Sequence, residues 1–203
     1  MSKISIQGAA TGTGVFTLAS PATNTDRTLT LPDEAGTVIT SGSYVAGITE
    51  ADMWRLSSNF ATTSGIEDLT ANFERVDDSP FAKIGTGMSE SSGLFTFPST
   101  GLYLVSMSGY YESGTLSYVG LNMTGSIDGG STFDLLSDSF SSLYSSVGSA
   151  YEGTVNVESF LNVTNTSNVK VKFQTYTSGA TYLIGTTNSS RTWFKFIRLG
   201  DSQ

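Results

Sequence analysis

The stretch that decides the fold covers residues 93 to 105 and reads Gly93-Leu94-Phe95-Thr96-Phe97-Pro98-Ser99-Thr100-Gly101-Leu102-Tyr103-Leu104-Val105. Proline has no backbone N–H to donate to a sheet, so Pro98 is suited to a corner between two strands. Gly101 permits tight backbone geometry where the following strand begins. The rings of Phe95, Phe97 and Tyr103 are large enough to fill a core. The stretch therefore predicts an aromatic strand, a corner and a long central strand.

Further strand candidates lie on both sides of this corner, separated by clusters of Gly, Ser, Thr and Asn. They cover residues 71–77, 82–88, 94–98, 102–112, 117–127, 132–140, 153–164, 168–177, 180–187 and 191–199. Between Val169 and Phe173 apolar residues alternate with lysines, which predicts one buried and one solvated face. This spacing of short strands is typical of a sandwich or jelly roll.

Two of these strands carry apolar residues on both faces. In the last strand, Trp193 and Ile197 alternate with Phe194 and Phe196. The strand around Val105 shows the same excess. A strand of a sandwich turns only one face towards its own core, so the second apolar face predicts a covering element or another subunit.

The chain is predicted to contain a short segment and one main domain. Residues 1–45 contain strand candidates too short to enclose a core, which predicts a β-rich anchor or stalk that docks on a partner. Residues 46–53 form a linker in which Thr49 resembles the cap of a short helix. The head domain is predicted at 54–201. The residues predicted to anchor the first segment are Phe16, Leu18, Leu29 and Leu31.

Composition removes most catalytic chemistry. The chain has no histidine and no cysteine, so a Ser-His-Asp triad, a histidine base, thiolate chemistry and disulfides are excluded. We expect a protein that is not an enzyme and has no catalytic, cofactor-binding or metal-binding residues. A net charge of −8 opposes binding to nucleic acid. No signal peptide and no apolar run of membrane-spanning length is visible, so we expect no membrane insertion.

Three groups of residues have an alternative functional interpretation. Paired acids could cleave glycosidic bonds, and the nearest candidates are Asp77, Asp78, Asp134 and Asp138. Asp128-Gly129-Gly130 could contribute oxygen ligands to calcium, or it could be a hairpin turn. Tyrosine rings beside Ser-rich loops could stack on sugars or pack in the core, and these are Tyr144, Tyr151, Tyr176 and Tyr182.

The stretch 93–105, followed by Thr192-Trp193-Phe194-Lys195-Phe196-Ile197-Arg198-Leu199-Gly200, resembles the globular head of the complement q subunit, which shares its fold with tumour necrosis factor. Lys195 stands where that family's closing motif has glycine. The resemblance covers about residues 54–200 and implies an all-β, ten-stranded jelly-roll sandwich that assembles as a homotrimer. The residues then expected in the core or at the trimer interface are Tyr103, Met107, Tyr111, Trp193, Phe194 and Phe196.

The segment from Gly12 to Val38, which contains Arg27-Thr28-Leu29-Thr30-Leu31-Pro32-Asp33, resembles a repeat of phage tail-fibre and appendage proteins, especially of phages that infect marine bacteria. The resemblance implies a structural virion protein that is made in the host bacterial cytoplasm and contacts other virion proteins. The expected role is a trimeric fibre or knob that recognises a host-surface glycan or protein. Two alternatives remain open: a purely architectural capsid fibre, decoration or collar protein, and a polysaccharide-degrading spike.

Overall fold

The computed structural model describes residues 11–15, 17, 22–26, 28, 47–114, 118–143 and 151–203. The chain divides into two units, Met1–Tyr44 and Val45–Gln203. The described residues of the first unit are exposed, and none of them lies in a strand. The predicted anchoring residues lie outside the described residues, so anchoring stays a prediction; they are Phe16, Leu18, Leu29 and Leu31.

The second unit is built from β-strands. In the described part of the unit there are thirteen strands and no helix: β1 Ala51–Leu56, β2 Phe60–Thr62, β3 Gly65–Asp68, β4 Phe73–Arg75, β5 Ser89–Ser91, β6 Leu94–Thr96, β7 Gly101–Ser113, β8 Val119–Ser126, β9 Asp134–Ser141, β10 Tyr151–Val163, β11 Lys170–Thr177, β12 Thr181–Leu183 and β13 Trp193–Gly200. The predicted all-β class is confirmed.

The strands form two antiparallel sheets that pack face to face. In the seven-stranded sheet, β10 pairs along one edge of β7, while β13 and β12 share its other edge; β1 and β4 follow β13, and β2 follows β12. The six-stranded sheet has the order β5-β6-β11-β8-β9, with β3 pairing the same edge of β11 as β6. The predicted jelly-roll sandwich is confirmed.

Aromatic rings from both sheets meet around Phe95 of β6. Its ring centre lies 5.0–5.9 Å from those of Trp54, Phe73, Phe173, Phe194 and Phe196. Such separations allow edge-to-face and tilted contacts, which add to the free energy gained by burying the rings. Phe95 therefore ties the two sheets together through one side chain.

The predicted corner between β6 and β7 is present, and the side chain of Tyr103 stabilises it. Phe97 is buried, and its ring centre lies 4.7 Å from that of Tyr103. The Tyr103 hydroxyl donates to the carbonyl oxygen of Ser99 at 3.1 Å and lies 2.9 Å from its Oγ. Gly101 has φ +153°, and a Cβ there would lie 2.6 Å from a backbone carbonyl oxygen of β13. A larger residue at 101 would push β13 away.

Two local expectations are wrong, and three short strands were not predicted. Thr49 does not cap a helix: the first strand begins at Ala51, which pairs with Ile197 of the last strand. Residues 82–88 do not form a strand, because only Ile84 makes a bridge, also to Ala51. The short strands β2 and β3 are additional to the prediction, as is β5 at 89–91.

Replacing Tyr111 by phenylalanine is expected to lower the free energy of unfolding by about 1–3 kcal/mol. Tyr111 projects from β7 across the core, where its hydroxyl donates to the carbonyl oxygen of Gly120 at 2.8 Å and lies 2.8 Å from Thr175 Oγ1. The change leaves both groups buried without this partner. Guanidinium denaturation measures the effect. Tyr182→Phe, at an exposed tyrosine, should change stability by less than about 0.5 kcal/mol; equal losses in the two variants would contradict the role of Tyr111.

Stability is expected to fall below about pH 4, in part through Asp68. Burial acts to raise the pKa of Asp68, but hydrogen bonds from Lys172 at 2.8 Å and Gln174 at 2.7 Å outweigh it, so the pKa lies below its ordinary value of 3.8. The stabilisation is therefore complete above pH 3.8 and is lost as the pH falls through the lower folded pKa. Since the pair is partly exposed, it contributes below about 1 kcal/mol. The difference between the denaturation midpoints at pH 6 and pH 3 should be smaller in Asp68→Asn than in the wild type; an unchanged difference would refute this source.

Candidate functional site

The outer face of the seven-stranded sheet carries a continuous row of apolar side chains. Cα pairing places Leu104 of β7 between Phe160 of β10 and Ile197 of β13, and Ile197 is followed by Ala51 of β1. Because side chains alternate along a strand, these residues point away from the core that Tyr103 and its neighbours fill. We call the following set the outer apolar face: Ala51, Leu102, Leu104, Tyr110, Phe160, Trp193 and Ile197.

This face is incompletely covered by the chain itself. Phe160 is 63% exposed, and the other members of the outer apolar face are partly exposed. Monomeric proteins rarely leave a contiguous apolar patch of this kind on one sheet, and such patches mark interaction surfaces. The second apolar side of β7 and β13, which the sequence predicts, is thus present as a surface.

A polar row crosses the face between Leu104 and Trp193. Ser106 Oγ donates to Glu158 Oε2 at 2.8 Å, and the two residues are paired across β7 and β10. On the other side of Ser106 lies Lys195, whose Nζ stands 4.6 Å from the ring centre of Trp193. The face therefore presents one acid and one base in fixed positions within apolar surroundings, which would set the register of a partner.

One end of the same sheet face is closed by an ion cluster. Arg55 of β1 is fully buried there, with Nε 3.3 Å from Glu74 Oε2, Nη2 2.8 Å from Asp77 Oδ1, and Nη1 in contact with Asp78 Oδ2. The segment after β4 supplies two of these acids and so covers the end of the sheet. The sequence predicts that a covering element or another subunit buries the second apolar face. At this end the segment after β4 is that covering element.

On the β10 side of the same face lies an open depression of about 250 Å³ lined by Tyr110, Thr154 and Arg191. The Arg191 guanidinium lies 5.7 Å from the ring centre of Tyr110. Burial and a hydrogen bond with Glu152 raise the pKa of Tyr110, so its hydroxyl stays protonated at neutral pH. That hydroxyl donates to Glu152, so the donor that the depression offers to a partner on the face is the Arg191 guanidinium.

The predicted interface or core residues fall into two groups. Trp193 lies on the outer face, whereas five residues are buried between the sheets: Tyr103, Met107, Tyr111, Phe194 and Phe196. Phe160, the most exposed residue of the face, is not among the predicted interface residues. The signal that could have found it is the adjacent apolar pair Phe160-Leu161, which places one large apolar side chain on each face of the strand.

The acids considered for catalysis do not converge. Asp77 and Asp78 are engaged by Arg55, and Asp134 and Asp138 lie on the edge strand β9. Among residues 47–114, 118–143 and 151–203 and the described parts of the first unit, no group of three acidic side chains could hold a metal ion. Within those same ranges no helix is long and apolar enough to cross a membrane.

Asp128 stabilises the turn between β8 and β9 through hydrogen bonds. Its Oδ1 accepts from Ser126 Oγ at 2.7 Å and from the amides of Ser131 and Thr132 at 3.0 Å, and its Oδ2 accepts from Thr132 Oγ1 at 2.7 Å. The Thr132 hydroxyl and amide hold the pKa of Asp128 well below its usual range. Because the turn itself uses both oxygens, the structure favours the hairpin-turn interpretation over calcium binding.

The four tyrosines considered for sugar binding are scattered. Tyr151 packs against the core, Tyr182 is exposed on β12, and Tyr176 lies on the outer face of the six-stranded sheet. Tyr144 lies outside the described residues. Only Tyr176 has exposed aromatic neighbours within the described part of the chain, namely Tyr118 and Phe140.

No protein-family model and no curated protein sequence matches the chain. Among solved structures, Eiger TNF from S. frugiperda superposes with a TM-score of 0.57 at 13% identity, over 77% of this chain and 96% of that one. Murine APRIL at pH 5.0 superposes with a TM-score of 0.54 at 11% identity, over 74% of this chain and 98% of that one. The head is a TNF-like jelly roll. The likeness at these identities is one of fold, and it confirms the fold that the stretch 93–105 suggested.

Proposed function

We propose that this chain is a subunit of a homotrimeric, non-catalytic appendage of a bacteriophage particle, in which the TNF-like head recognises the surface of the host. The observation that carries the assembly is the outer apolar face. Burying Phe160, Leu104 and Ile197 at about 25 cal/mol per Å² of apolar surface would supply the main free energy of association. A ring of three subunits uses the same heterologous contact three times and closes without leaving a free face.

The phage setting is supported by the sequence of the first unit. The segment Gly12 to Val38 resembles a phage fibre repeat, and its strand candidates are so short that they would need a partner to bury their apolar side chains. Absence of His and Cys from the whole chain supports a non-catalytic role. We assign the chain to the virion, with assembly in the host cytoplasm and contacts to other virion proteins.

Two experiments test this function. Sedimentation velocity at micromolar concentration should give the mass of three 21.4 kDa chains; a stable monomer would refute the assembly.

Purified protein added to host cells before phage should bind the cells and reduce infection. Binding without competition, or no binding, would leave the architectural capsid or collar role, which density for the head at a capsid or collar position in a virion map would establish. Release of sugar from host polysaccharide would instead support the degrading spike.

A further inference from the structure

Two parallel rows of side chains cross the outer face of the six-stranded sheet, on the opposite side of the sandwich from the outer apolar face. Each row is a chain of Cα partners across β3, β11, β8 and β9. The aromatic row consists of Ile66, Tyr176, Gly120 and Phe140. The polar row lies next to it, two residues away on each strand, and consists of Asp68, Gln174, Asn122 and Asp138.

The aromatic row forms an exposed apolar platform. Ile66 is 56% exposed and Phe140 is 49% exposed. The rings of Phe140 and Tyr118 meet that of Tyr176 edge to face, with ring centres 5.4 Å and 5.6 Å away. Gly120 has no side chain, and the Phe140 ring occupies the space above its Cα. A Cβ at position 120 would lie only 2.4 Å from Phe140 Cδ1. Platforms of this kind stack on the C–H faces of a ligand.

The polar row ends in two unused hydrogen-bond acceptors. Asp68 accepts from Gln174, which in turn accepts from Asn122 Nδ2 at 3.4 Å. Asn122 is 5% exposed, and its Oδ1 has no hydrogen-bond partner among the described residues. Its Cα partner Asp138 is exposed, and its carboxylate likewise has no partner within the described part of the chain. A buried acceptor left without a donor costs stability, so its retention calls for another explanation.

We infer that the aromatic row and the polar row together bind a neutral carbohydrate. A pyranose ring offers an apolar face for Tyr176 and Phe140, and hydroxyl donors for Asn122 Oδ1 and Asp138. The free carboxylate of Asp138 and the net charge of −8 disfavour acidic sugars. Two oxygen ligands are too few for calcium, which takes six to eight. Phe140 belongs to the edge strand β9, and binding requires its ring to turn aside so that the ligand reaches Asn122.

This inference rests on the proposed recognition function and names its ligand class. Because the rows lie opposite the outer apolar face, a trimer built through that face leaves three copies of the site in solvent. Three weak sites held together would bind a repetitive glycan much more tightly than one, through effective concentration.

The test is saturation-transfer NMR of the full chain with the methyl pyranosides of glucose, galactose and mannose, and with glucuronate as the acidic probe. At least one neutral pyranoside should bind, and glucuronate should bind about tenfold more weakly or not at all. Tyr176→Ala should weaken binding about tenfold, because it removes the central ring. The matched control Tyr182→Ala, on the other sheet, should bind like the wild type. No neutral binding, binding abolished by EDTA, or an equal loss in the control would overturn the inference.

Asn122→Leu separates a binding role from a structural one. It removes the unpartnered acceptor and also the long 3.4 Å hydrogen bond from Asn122 Nδ2 to Gln174, two changes with opposite effects on stability. We therefore expect weaker sugar binding together with a melting temperature within about 2–4 °C of the wild type. A lower melting temperature with sugar binding retained would contradict the inference. Sedimentation of the same samples separates the two proposals: a trimer that binds no sugar refutes the site alone, and a monomer that binds sugar refutes the assembly alone.

Discussion

Replacing Asp52 by alanine is expected to lower the free energy of unfolding by about 3–5 kcal/mol, because it removes the buried partner of an ion pair and the acceptor of three further hydrogen bonds. Asp52 is 4% exposed on the core side of β1. Its carboxylate accepts from the amides of Met53 and Met88 at 3.0 and 2.8 Å and from Trp54 Nε1 at 2.9 Å. It also pairs with Arg75 Nε at 3.1 Å. Alanine leaves all of these donors without their acceptor.

The effect should extend beyond one contact, because Asp52 connects three segments. It joins β1 to β4 through Arg75 and to the segment before β5 through Met88, and the Arg75 guanidinium also lies 4.7 Å from the ring centre of Trp54. Guanidinium denaturation followed by tryptophan fluorescence measures the loss. The control Asp201→Ala, at an exposed acid that pairs with Arg198, should cost less than about 1 kcal/mol. A similar small loss at Asp52 would show that the carboxylate does not organise this end of the sandwich.

Replacing Leu104 by aspartate is expected to convert the proposed homotrimer into monomers. Leu104 lies in the middle of the outer apolar face, between Phe160 and Ile197. A carboxylate buried there without a partner would lose several kcal/mol of solvation free energy at each of three equivalent contacts. This loss exceeds the association free energy that the remaining apolar residues supply at one contact. Since Leu104 is partly exposed in the single subunit, the fold itself should tolerate the change.

Sedimentation velocity provides the measurement, with circular dichroism to verify that the variant is folded. The matched control is Ile127→Asp, which introduces the same charge at a residue that is 76% exposed in the turn after β8. The control should sediment as the wild type does. A Leu104→Asp variant that is folded and still trimeric would show that the subunits associate through a different surface.

The local part of the fold follows from the sequence because its signals are local. Alternation of apolar and polar residues reports which side chains share a face, so the strands around Val105, Phe173 and Phe196 are predictable from neighbours two residues apart. The corner at Pro98 follows from the missing N–H of proline. The same local signal fails at residues 82–88, which have a strand-like composition but bridge to β1 only through Ile84.

The candidate sites are less predictable, because they depend on strand register. The two-sided apolar pattern of β7 and β13 indicates that a second face exists, but Phe160 joins it only because β10 pairs with Leu104 in one particular register. The row of Asn122, Gln174 and Asp138 is formed by segments up to 52 residues apart in the chain. No pattern within any one of those segments marks it as part of a site.

The sequence alone therefore determined that the chain is all-β, that a corner precedes a long central strand, and that two strands need burial on both sides, since each property depends on a few adjacent side chains. The tertiary structure decided which sheet face stays apolar and open, which end Arg55 and its acids close, and where an amide is left without a donor. Those features depend on contacts between strands far apart in the chain, and a shift of register by one residue would turn every one of them to the other face.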